Sequence, residues 1–163
     1  AYMYFSGSDW RPGATTQYGE LIMPPRTLPD AQLVTAAGDK RLYGIWNLLV
    51  LADTECDAVC NEALENVRQI RLSLGPKMTR LQTIYMPATH TAIPENIGSD
   101  HPALVIVEPS ASGELRGIVG DYANGQIFMI DPLGNMMMQY PPGASMGDIR
   151  KDLGQLLKLS GIG

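Results

Sequence analysis

The 163-residue chain contains two cysteines, Cys56 and Cys60, four positions apart. On a helix, residues i and i+4 are neighbours one turn apart, so a Cys-x-x-x-Cys spacing puts both sulfurs on one face, where they can act together. Such a pair can exchange with a partner's disulfide, and as thiolates the two sulfurs suit a soft metal such as Cu(I). Cys56 is expected in the first turn of that helix, among unpaired N–H groups at the positive end of the helix dipole, which favours thiolate over thiol. The acidic neighbours Glu55 and Asp57 oppose that effect. A plainer alternative is that two small apolar residues fall on a buried stripe, where Cys60 fits beside Val59 and Ala63.

The remaining candidates for chemistry are weaker. His90 and His101 each carry an imidazole, but neither has a partner at ligand spacing. Met136, Met137 and Met138 are consecutive, and alternation along a strand sends the middle thioether to the opposite face, so three cannot converge on one ion. Asp53 with Glu55, and Asp121 with Asp131, read as capping and turn residues. The sequence holds no glycine-rich phosphate loop, nucleophile elbow or His-Glu metal signature, which removes hydrolase and nucleotide-binding readings.

The elements that must position the cysteines follow from hydrophobic periodicity. Trp46 to Ala52 is nearly continuous in apolar residues, as expected for a central strand buried on both faces. Asp53 or Thr54 can then cap a helix, and apolar residues recur at 56, 59, 60, 63, 64, 67, 70 and 74, the stripe of a helix lying on a sheet. Gly75 and Pro76 end it. Arg80 to Met86 and Ala103 to Val107 read as further strands, and Ser110 to Val119 as a short helix weakened by Gly113 and Gly117. Ile127–Ile130 and Met136–Tyr140 flank an Asp-Pro-Leu-Gly-Asn turn, with Gly134 supplying the positive φ of a hairpin. Ser145 and Asp148 open a last amphipathic helix carrying Ile149, Leu153, Leu156 and Leu157. This order of strands and helices is that of an α/β, thioredoxin-like sandwich, a central mixed sheet flanked by helices.

Ahead of the central strand, Ser6 to Asp30 holds four of the twelve prolines and no sustained period, which predicts an extended N-terminal arm. Leu33–Thr35 and Leu42 around Gly38-Asp39 predict a short hairpin. The expected division is an arm over 1–32 and one thioredoxin-like domain over 33–163. The length suits a single core. A formal charge of −5, with no basic run, argues against nucleic acid. No apolar stretch approaches the roughly 20 residues that span a bilayer. The opening Ala-Tyr-Met-Tyr-Phe, with Tyr2, reads either as the aromatic edge of a membrane interface, with an anchor expected upstream, or as an ordinary aromatic start.

The stretch Gly44-Ile-Trp-Asn-Leu-Leu-Val-Leu-Ala-Asp-Thr-Glu-Cys-Asp-Ala-Val-Cys resembles the Sco family of copper-handling, thioredoxin-like proteins, in which a strand runs into a Cys-x-x-x-Cys. Ile127-Phe-Met-Ile-Asp-Pro-Leu-Gly-Asn is similar to that family's strand and Asp-Pro-x-Gly turn, so the resemblance covers roughly residues 33 to 160. Trp10-Arg-Pro, Tyr18-Gly-Glu-Leu-Ile and Pro24-Pro-Arg also resemble bacterial membrane-anchored proteins associated with oxidase assembly. The resemblance implies a thioredoxin-like protein tethered to the bacterial inner membrane and facing the periplasm. It also implies support of cytochrome c oxidase assembly, with Cys56 and Cys60 as a dithiol or as copper ligands and an oxidase subunit or assembly factor as partner.

Two departures stand out. Asn61 follows the second cysteine where the Sco pattern has proline. The family's third copper ligand is a histidine shortly before the late strand, and the matching segment Asp121-Tyr-Ala-Asn-Gly-Gln has none. That segment also lacks the proline that thioredoxin-type oxidoreductases keep beside their dithiol, with Gly125 near its place. Three readings therefore stand: a Sco-like dithiol protein working by exchange or Cu(I) handling, a general thiol-disulfide oxidoreductase, and an assembly scaffold with a structural disulfide.

Overall fold

The computed structural model describes residues 18–30 and 32–160. The expectations drawn from Tyr2 and Trp10 lie outside them. Among them the strands and α-helices are ordered as strand β1 (Glu20–Thr27), β2 (Gln32–Leu33), β3 (Lys40–Arg41), β4 (Trp46–Ala52), helix α1 (Ala58–Ser73), β5 (Leu81–Pro87), α2 (Ile97–Asp100), β6 (Val105–Ile106), α3 (Gly113–Val119), β7 (Gln126–Ile130), β8 (Asn135–Tyr140) and α4 (Met146–Ser160). Six strands form one mixed sheet in the order β1-β8-β7-β4-β5-β6, and β2 and β3 form a separate hairpin. This is the expected thioredoxin-like sandwich.

Strand β4 is buried along its whole length because the sheet is covered on both faces. Its alternation divides the core. Trp46, Leu48, Val50 and Ala52 pack with Cys60, Leu64, Val67 and Ile70 of α1 and with Ile149, Leu153 and Leu156 of α4. Leu49 and Leu51 pack on the opposite face with Leu33, Leu42, Leu115 and Val119. Asn47, the polar interruption in the apolar run, is buried too, and its amide donates to the carbonyls of Leu42 and Ile45, both at 2.9 Å.

The late hairpin forms around Gly134 at φ +84°, with Asp131 Oδ1 accepting from the backbone N–H groups of Leu133 and Asn135. The strict alternation expected of the three methionines is broken. Met136 pairs with Ile130 and Met138 with Met129, so Met137 is the extra residue of a bulge. Met137 and Met138 consequently share the α1 side of the core while Met136 lies on the other.

Within the expected arm, residues Glu20–Thr27 are a sheet strand, paired antiparallel with β8. The register shifts between Leu21 and Arg26, across Pro24-Pro25, and the position is an edge, where missing donors are tolerated. The carboxylate of Asp152 on α4 holds the entry to this strand, accepting from the backbone N–H groups of Tyr18 and Gly19 and from the Tyr140 hydroxyl, all within 2.9 Å.

Candidate functional site

Strands β4 and β5 are parallel and β7 runs antiparallel to β4, so the end of β4, the end of β5 and the start of β7 lie together at one end of the sheet. Three loops therefore meet there: 53–57, 88–92 and 121–125. The cysteines occupy the first. Their sulfurs are bonded to each other, with Cα atoms 5.1 Å apart. Cys60 is fully buried and Cys56 is partly exposed.

The helix begins later than its periodicity suggests. Asp57, not Asp53 or Thr54, is the N-cap, its Oδ1 accepting from the Cys60 backbone N–H at 2.9 Å. Cys60 lies in the first turn, whereas Cys56, expected there, precedes the cap. Neighbouring loops cause the delay by taking the backbone groups that a longer helix would use. Asn124 Oδ1 accepts from Asp53 N at 2.6 Å and its amide donates to Glu55 O at 2.7 Å. Thr91 Oγ1 donates to Thr54 O at 2.6 Å. Asn61 reaches back from the helix to the carbonyls of Cys56 and Asp57.

Gly125 packs directly on the start of α1. A Cβ at this position would stand 3.1 Å from Val59 O and 3.2 Å from Cys60 Cα, and φ is +81°. Only glycine combines that approach with that conformation. Its N–H donates to Leu51 O, tying the loop to the central strand.

Beneath the disulfide, Cys60 Sγ lies 3.7 Å from the hydroxyl of Tyr85, a fully buried residue of β5. That hydroxyl also contacts the Ala92 carbonyl at 2.5 Å. Burial pushes the phenol well above the usual tyrosine range. The sequence offers one faint signal for Tyr85, a polar-tipped aromatic in an apolar strand. Asn124 and Thr91 carry no signal at all, because their roles depend on loops that meet only in the fold.

Neither histidine joins the sulfurs. His90, on the 88–92 loop, directs Nε2 to the Glu108 carboxylate. His101 lines a cavity of about 100 Å³ with Leu64, Val67, Arg68 and Arg71, against the later turns of α1. Among the described residues no group of three or more His, Cys, Asp or Glu side chains is arranged to hold a metal.

The family model described as "Transmembrane-like, thioredoxin-like, C-terminal domain" matches residues 46–160. None of the curated proteins matches the sequence. Among solved structures, apo Sco1 of Thermus thermophilus is 21% identical over 90% of this chain and 100% of that one, with a TM-score of 0.70. Copper-bound ScoI of Bradyrhizobium japonicum is 18% identical over 76% of this chain and 95% of that one, at 0.60. The thioredoxin domain of a thiol-disulfide oxidoreductase from Bacteroides vulgatus is 13% identical over 80% of this chain and 94% of that one, at 0.59. These likenesses show a common fold, shared by Sco proteins and thiol-disulfide oxidoreductases alike. No helix of the described residues is long and apolar enough to cross a membrane.

Proposed function

The chain belongs to the transmembrane-like, thioredoxin-like C-terminal domain family, and from that membership and its site we propose that it is a Sco-like thiol-disulfide exchange protein working through Cys56 and Cys60. The observation that carries this reading is the disulfide itself. It joins a partly exposed sulfur to a buried one at the strand-to-helix junction, ringed by loops that leave the Cys56 side open. A thiolate of an upstream dithiol donor attacks Cys56 Sγ, the bond to Cys60 breaks and a mixed disulfide forms; the donor's second thiol resolves it, and the Cys56/Cys60 dithiol so formed reduces a target disulfide by the same steps in reverse.

We extend the proposal to biological setting. The protein faces the bacterial periplasm from a membrane anchor and keeps thiols of an oxidase subunit or assembly factor reduced during cytochrome c oxidase assembly. Its likeness in fold to Sco1 and ScoI supports this. In a second reading the reduced pair also passes Cu(I), because two adjacent thiolates suit that ion. Exchange ranks first, since His90 directs Nε2 to Glu108 and His101 lines a cavity against the later turns of α1.

Equilibration in glutathione redox buffers tests the exchange reading. A potential between about −300 and −180 mV is expected, the span of thioredoxin-like exchange proteins. A value below about −300 mV makes the bond structural and overturns the proposal. For copper, one equivalent of Cu(I) captured from a competing chelator, and lost in Cys56→Ser, supports transfer; equal failure of both proteins ends that reading.

A further inference from the structure

We propose that Tyr85 is a positioning residue for the redox step, its hydroxyl oxygen accepting a hydrogen bond from the Cys60 thiol once the disulfide is reduced. This rests on the exchange reading above and adds to it the residue that sets the balance between disulfide and dithiol. A tyrosine hydroxyl has one proton. The Ala92 carbonyl, 2.5 Å away, has none to give, so the hydroxyl must donate there. What Tyr85 presents to Cys60 Sγ, 3.7 Å away, is an acceptor lone pair.

The two redox states use that lone pair differently. In the disulfide, Cys60 Sγ carries no hydrogen and gains nothing from an acceptor. In the dithiol it carries one, in a site where water is excluded and an unpaired polar group is costly. Overall, a partner dithiol is oxidised to its disulfide, the Cys56–Cys60 bond breaks, and each of these two sulfurs takes up one electron and one proton supplied by the partner. Tyr85 stabilises the product of that reduction only. Of the other groups around Cys60, Asp57 accepts from its backbone N–H and Gly125 offers backbone, and both are engaged in the oxidised protein already.

Tyr85→Phe removes the acceptor and keeps the ring. It also leaves the Ala92 carbonyl unpaired, but does so in both redox states, so that loss lowers stability while cancelling from the redox equilibrium. The expected result is an equilibrium with glutathione displaced toward the disulfide by about threefold to tenfold, from the usual worth of one hydrogen bond. That displacement corresponds to a potential lower by about 14 to 30 mV. An unchanged equilibrium, or a shift toward the dithiol, overturns the proposal and leaves Tyr85 a packing residue.

A second measurement needs no change at Tyr85. In reduced Cys56→Ser, the Raman S–H stretch of Cys60 is expected at lower frequency than that of a thiol with no acceptor, and a stretch at the unbonded frequency overturns the assignment. If the wild-type pair does not equilibrate with glutathione at all, the exchange reading fails on its own, while the Raman signature still decides the Tyr85 contact.

Discussion

Around each sulfur the chemistry is set by residues from other loops. Gly125 is the tightest case, because a Cβ there would stand 3.1 Å from Val59 O and 3.2 Å from Cys60 Cα, and its conformation is left-handed. Gly125→Ala should destabilise the protein by roughly 2 to 3 kcal/mol, combining strain at positive φ with displacement of the start of α1. Chemical denaturation of the oxidised protein measures it, and a loss below about 0.5 kcal/mol would mean that the loop yields freely. The cysteines were legible in the sequence from their spacing alone. Their separate roles were not, since Cys60 is covered by Tyr85 from β5 and by Gly125 from the β7 loop, while Cys56 precedes the cap.

Among the elements, those with strong periodicity matched their expected type, although α1 begins only after Asp57. Strand β4 spans the predicted Trp46–Ala52, and both long helices carry the apolar stripes that predict them. Strand β1 was illegible because Pro24-Pro25 breaks its pattern and only its pairing with β8 makes it a strand. Asp152 fastens this strand to α4, and burial raises its carboxyl above the usual carboxylate range against the opposing pull of its hydrogen-bond donors, with Asp148 adding to the rise. A carboxyl with a raised folded-state pKa takes up a proton on folding, so its contribution to stability is present below the unfolded pKa and is lost as pH rises through the folded one. Wild type should therefore lose stability relative to Asp152→Asn as pH rises through that window. Denaturation midpoints of the two proteins from about pH 3.5 upward, above the low end of the carboxylate range, test the sign; a difference that is flat or rises shows the charged carboxylate to be well solvated.

The whole molecule is held by apolar layers on both faces of the sheet, which makes the disulfide an addition to the fold rather than its basis. Closing so short a loop restricts the unfolded chain by roughly 2 kcal/mol in the chain-entropy view. Reduction should lower Tm by roughly 4 to 8 °C for a domain of this size and leave a folded protein. Calorimetry with and without reductant checks this, and unfolding on reduction would favour the scaffold reading with a structural bond. From the sequence alone came the thiol pair, the strand that leads to it, the helix that carries it and the thioredoxin-like order of elements, because these rest on periodicity and spacing within short windows. The tertiary structure decided that the two sulfurs are bonded, that one is buried over a tyrosine hydroxyl, that neither histidine reaches them and that β1 closes the sheet. Each of those depends on contacts between residues far apart in the chain, which local pattern does not encode.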